Sequence, residues 1–108
     1  ACTGIVEQLE PGGIGGIFRD WNGQWILGFS EGIAYATLFV AEILALKRGL
    51  QLATIYNFSP SVIHTDSQSL VKWLYSNSPM FTNLLFECRS LLTRWGAAMV
   101  KHTFREQN

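Results

Sequence analysis

Charge is scarce in this sequence, and what there is cancels. Of 108 residues only 15% are charged, eight basic against eight acidic, so the formal net charge is zero. A neutral chain has no general attraction for a polyanion, and any contact with nucleic acid must come from local patches. No apolar run approaches the roughly 18 residues that span a bilayer, and the start "ACTGIVEQLE" lacks the basic and apolar regions of a secretory signal. The chain is therefore expected to be soluble and intracellular, in nucleus or cytoplasm, with no membrane partner. Cysteine is nearly absent: Cys2 and Cys88 show no CxxC or Cys/His spacing, which favours ordinary reduced thiols over a zinc site or a disulfide. The glycines at 12, 13, 15 and 16 come without GK[ST] and without a third glycine at the dinucleotide spacing, so close backbone packing or a bulged strand explains them better than a phosphate loop. There is no internal repeat, low-complexity segment or linker. What is abundant is apolar side chain, 48% of the residues, enough for the core of one compact domain.

The apolar residues fall into periodic blocks. Residues 13–33 read as two antiparallel strands joined by Asp20-Trp21-Asn22-Gly23, where Asn-Gly is a hairpin signal because both residues tolerate positive φ. Residues 34–54 are rich in Ala and Leu, and Leu38, Phe39, Ile43, Leu46, Leu50 and Ala53 draw a helical stripe. Past a turn containing Pro60, residues 62–65 form a short strand. Residues 67–75 form a helix with Leu70, Val71 and Leu74 inward, broken at Ser76-Asn77-Ser78-Pro79. Leu84, Leu85, Cys88, Leu91, Leu92 and Trp95 predict another helix, which Gly96 ends, and alternation from 98 to 104 predicts a last strand. The order strand, strand, helix, strand, helix, helix, strand gives an α/β domain, a mixed sheet flanked by helices.

Two acids break the pattern. Glu42 sits inside the apolar stripe, where a carboxylate is costly unless paired, neutralised or bound to a cation. Asp66 follows a strand, and ligands of open α/β sheets lie beyond the carboxyl ends of strands. If the helix lays its stripe on the sheet, the two carboxylates meet. The remedies for their repulsion are a shared proton or a divalent cation, and oxygen-only ligation suits Mg²⁺ or Mn²⁺ better than zinc. The plainer alternatives are a glutamate that reaches water at the stripe's edge and an aspartate that caps the following helix, a task open equally to Ser67.

Four stretches in order, "GGIFRDWNGQWILGF", "AEILALKRGLQLA", "VIHTDSQSLVKWL" and "VKHTFREQN", resemble the ribonuclease H superfamily, in particular the plant-type, type 1 RNase H-like domain related to reverse-transcriptase ribonuclease H. The likeness runs from about Gly12 to Asn108. It implies an RNase H-like fold and a nucleic-acid-binding hydrolase, an endonuclease that cuts the RNA strand of RNA–DNA hybrids with two Mg²⁺ or Mn²⁺ ions. Glu42 matches the helix glutamate of that catalytic metal site and Asp66 the aspartate of its "TDS" motif. Gln68 matches a position that touches nucleic acid in relatives, through the minor groove of an A-form-like hybrid. Ser67 and Thr37 are candidates for backbone contacts, each with an alternative as a helix cap. Lys72, Lys101 and Arg105 are candidates for phosphate or substrate contact, Asn108 for orienting the loop or approaching substrate, and Trp73 for lining the groove or filling the interior.

The resemblance also sets expectations about what is missing. Its first aspartate belongs before Ala1 and its fourth acid beyond Asn108, so both are expected to be lost by truncation rather than substitution. Residues 1–108 then form a single incomplete domain, lacking most of the first strand and the last helix, weak or inactive alone, with an exposed internal strand edge that invites association. Leu38 and Phe39 stand where some active relatives present polar groups. His64 and His102 read as structural or surface residues, for want of a partner at catalytic or metal spacing. The competing readings are an inactive nucleic-acid-binding or protein-docking module and a retroelement remnant. The oligomeric state is left open.

Overall fold

The computed structural model describes residues 2–9, 12–33, 37–76, 82–94 and 99–103. In chain order the elements are β1 (Cys2–Leu9), β2 (Gly13–Arg19), β3 (Trp25–Gly32), α1 (Leu38–Ile55), β4 (Pro60–Thr65), α2 (Gln68–Leu74), α3 (Thr82–Thr93) and β5 (Met99–His102). The strands form one sheet in the order β3-β2-β1-β4-β5. β1 pairs antiparallel with β2 and parallel with β4, while β2–β3 is antiparallel and β4–β5 parallel. This is the mixed sheet with flanking helices that the periodicity predicts, with one correction.

The correction concerns the first strand. Residues 2–9, expected to retain little of it, form an eight-residue strand at the centre of the sheet, paired on both sides. The two-residue period is there in the sequence, with Cys2, Gly4 and Val6 buried, but Gly4 offers no side chain and blurs the alternation.

The β2–β3 turn also differs from a two-residue Asn-Gly turn. The backbone N–H of Asp20 donates to the Gln24 carbonyl, and the Asp20 carboxylate accepts from the backbone N–H groups of Asn22 and Gln24 at 2.9 and 3.0 Å. Only Gly23 takes a positive φ there, 78°, because the aspartate organises a longer loop.

One face of the sheet carries the core. Val6, Ile14, Phe18, Ile63 and Val100 are buried with Ala41, Ile43, Ala45, Leu46, Leu50 and Ala53 of α1, Leu70 and Leu74 of α2, and Leu85, Cys88 and Leu92 of α3. Gly49 allows α1 to lie close on β1: a Cβ there would stand 2.9 Å from Cγ1 of Val6. Phe18 meets Phe58 edge to face at 4.9 Å between centroids. Two ion pairs fasten α1 sideways, Lys47–Glu87 to α3 at 2.7 Å and Arg48–Glu31 to β3 at 2.8 Å. Asn57, with φ 57°, ends α1 in the left-handed conformation that asparagine tolerates and turns the chain toward β4. On the opposite face Ile5, Glu7, Leu9, Ile17 and Trp25 line a shallow cavity of about 380 Å³. No helix among the described residues is long and apolar enough to cross a membrane.

Candidate active site

The corner after β4 is built from three consecutive residues, each with a different role. Thr65, 2% exposed, ends the strand, and its Oγ1 accepts from the backbone N–H of Ser67 at 3.1 Å. Asp66, half-buried, makes the turn. Ser67, 6% exposed, is the N-cap of α2, its Oγ accepting from the N–H of Leu70 at 3.1 Å. Serine rather than aspartate therefore caps this helix.

Glu42 arrives at the same corner from α1. That helix starts at the exposed cap Thr37, whose Oγ1 accepts from the N–H of Val40 at 3.3 Å. One turn on, Glu42 lies half-buried between the buried Ala41 and Ile43. Its Oε2 accepts from the Ser67 hydroxyl at 2.5 Å, within the range of charge-assisted O–H···O⁻ bonds. The helix glutamate and the residue after Asp66 are thus joined directly, although 25 positions separate them in the chain.

The strand beside β4 also carries an acid. β1 runs parallel to β4 with Val6 beside Thr65, so Glu7 follows Val6 where Asp66 follows Thr65. Glu7 lines the cavity on the open face of the sheet, away from the helices. Glu7 is absent from the residues the motifs single out. The signal that could have found it was the alternation of "CTGIVEQL", which sets an acid near the carboxyl end of a strand. Among the described residues no group of three or more His, Cys, Asp or Glu side chains gathers closely enough to hold a metal ion. Glu42 and Asp66 are hard oxygen donors of the kind Mg²⁺ takes, and they fit such an ion as part of a ligand set.

The other candidates spread outward from this corner. Gln68 and Lys72 are exposed on α2 one helical turn apart, at the spacing that places them on one face. Trp73 is half-buried against Phe39, with centroids 6.3 Å apart and planes tilted by 60°, and both rings pack on the core. Leu38, beside Phe39, is 62% exposed. Lys101 is exposed on β5. His64 Nδ1 lies 2.7 Å from Thr103 Oγ1, which gives that histidine a structural partner. Arg105 and Asn108 lie outside the described residues.

Comparison with known proteins gives this geometry a family. The model of the family described as reverse transcriptase-like matches residues 2–108. An Arabidopsis thaliana protein named "Putative ribonuclease H protein" is 27% identical over an alignment of 119 residues covering 99% of this chain and 19% of that protein. The chain thus spans about a fifth of that curated relative's length.

Among solved structures, RNase H1 from the halophilic archaeon Halobacterium salinarum NRC-1 superposes with a TM-score of 0.85 at 23% identity, over 96% of this chain and 86% of that one. LC11-RNase H1 in complex with an RNA/DNA hybrid gives 0.83 at 17% identity, over 97% and 86% of the two chains. The foamy viral protease-reverse transcriptase in complex with an RNA/DNA hybrid gives 0.79 at 14% identity, over 96% of this chain and 17% of that one. These likenesses establish the fold. With the family match running almost the whole length, the chain belongs to the reverse transcriptase-like family as an RNase H-like domain.

Proposed function

We propose that this chain is the nucleic-acid-binding RNase H-like domain of a hydrolase that cleaves the RNA strand of RNA–DNA hybrids, with Glu42 and Asp66 holding Mg²⁺ or Mn²⁺. The observation that carries this reading is the meeting of the α1 glutamate with the corner after β4, through the 2.5 Å bond from Ser67. It is supported by the family match and by hybrid-bound relatives of the same fold. Divalent ions held by Glu42 and Asp66 would supply an activated water and charge stabilisation at the leaving oxygen. The chain's own residues supply the frame. Glu42 and Asp66 give carboxylate oxygens at the corner after β4. Gln68 and Lys72 present an amide and an ammonium on the exposed face of α2, to the sugar edge and the phosphates of the strand being cut.

A second reading, a module that binds nucleic acid without cutting it, is favoured by the lack of a cluster of three or more metal-binding side chains among the described residues. One assay separates the two: hybrid cleavage in Mg²⁺ by the 108-residue chain and by a chain extended at both ends, each with Glu42→Gln and Asp66→Asn. Cleavage that both substitutions reduce to background supports the nuclease. A folded, extended protein that binds hybrid and leaves it intact replaces the nuclease with the binding module.

A further inference from the structure

The Ser67 hydroxyl has one proton and two lone pairs, and its environment uses them in an ordered way. The proton goes to Glu42 Oε2 at 2.5 Å, and a lone pair accepts from the N–H of Leu70 at 3.1 Å. The backbone N–H of the same residue is fixed by Thr65 Oγ1. Ser67 is 6% exposed. A side chain so enclosed, with its one proton spent, is not placed to donate to a phosphate.

The bond does something else. It ties a flexible glutamate, with three rotatable side-chain bonds, to a backbone point one residue from Asp66. The Glu42 carboxylate is thereby held at the N-terminus of α2, one residue along the chain from Asp66, rather than left to rotamer equilibrium. Ligand-supporting groups of this kind, bonded to a ligand rather than to the metal, change metal affinity substantially when removed.

We propose that Ser67 is a positioning residue, holding Glu42 in register with Asp66 by donating to one carboxylate oxygen. This rests on the reading of Glu42 and Asp66 as ligands of a divalent cation. Ser67 does not itself touch the cation or the nucleic acid. Its cap on α2 and its bond to Glu42 use different parts of the hydroxyl, and substitution can separate them. Glycine and threonine are comparable helix caps, but only threonine keeps the donor.

The test compares Ser67→Gly, Ser67→Thr and the unaltered chain in two measurements. In metal-free protein, three-bond couplings of the Glu42 side chain should report one rotamer in the unaltered chain and in Ser67→Thr, and averaging in Ser67→Gly. With Mn²⁺ alone as the probe, followed through water-proton relaxation, Ser67→Gly should lose affinity about 10-fold while Ser67→Thr stays within about 2-fold. Both variants should unfold at similar temperatures.

Rotamer averaging in the unaltered chain, or a Ser67→Gly variant with Glu42 still fixed and Mn²⁺ affinity unchanged, overturns the proposal. If Glu42 is fixed through Ser67 and the chain still takes up no Mn²⁺, the cation reading fails, and the couplings decide on Ser67 alone. An Ala substitution would be ambiguous, because it removes cap and donor together.

Discussion

Cys88 shows what enclosure does to a single group. It is fully buried on α3, its Sγ lies 3.9 Å from the Ile43 carbonyl, and burial pushes its thiol from the ordinary 9.0 up to about 12, with Lys47 pulling weakly the other way. The folded chain therefore keeps this proton through a range in which the unfolded chain releases it. The sign follows: the contribution is fully present below about pH 9 and is lost as pH climbs toward about 12. Urea midpoints should fall across that interval, and Cys88→Ala, though less stable throughout, should show a shallower fall; equal slopes would mean the thiol takes no part.

At this scale the sequence was legible where a residue broke a local pattern. Glu42 stands out as an acid in an apolar stripe, and Asp66 as an acid at a strand end. Ser67 looked like one hydroxyl among several, because its partner lies 25 positions away and no local spacing predicts a long-range hydrogen bond. Glu7 was hidden for a related reason: its meaning depends on which strand lies beside β1.

The second helix makes the same point for elements. α2 has seven residues, well below the length at which an isolated helix is stable in water, so it must be held from outside. Ser67 holds its N-terminal end. Arg89, from α3, holds the other: Nε donates to the Leu74 carbonyl at 2.7 Å, and Nη2 to the carbonyls of Trp73 and Ser76 at 3.0 and 2.7 Å. These carbonyls lie at and just beyond the C-terminal end of α2, and a cation suits that end of the dipole. Replacing Arg89 by Met keeps the apolar stem and takes the guanidinium from the Leu74 and Ser76 carbonyls, while that of Trp73 keeps the Ser76 N–H and hydroxyl as donors, at a cost of about 2–4 kcal/mol. Amide exchange should then speed up first in α2; uniform loss of protection across the sheet would show that the clasp is not local. The helix itself was readable from Leu70, Val71 and Leu74, as α1 was from its stripe. The clasp was not, since it spans 13 to 16 positions. β1 was missed because a glycine interrupts its alternation and the motif match begins only after it.

Across the whole molecule, electroneutrality limits how nucleic acid can be held. With zero net charge there is no diffuse field to gather a polyanion, and affinity must come from a few placed contacts. The fold concentrates the candidates at one end: the carboxyl ends of β1 and β4, the first turns of α1, and the exposed face of α2 with Gln68 and Lys72. That arrangement was partly legible, because the strand-helix order already set Asp66 at a strand end. The open face with Ile5, Ile17 and Trp25 was not, since the alternation of one strand does not say which of its faces a helix covers.

The consequence is a shallow salt dependence for hybrid binding, in which each lysine that meets a phosphate contributes about one unit to the slope of log K against log salt. Lys72→Gln should therefore weaken hybrid binding similarly for all sequences and reduce the slope by about one. Glu31→Gln, at an acid tied to Arg48 on the far strand β3, should leave the slope unchanged. If the Lys72 variant keeps the full slope, that lysine is solvated surface, and the phosphate contacts must be sought away from α2.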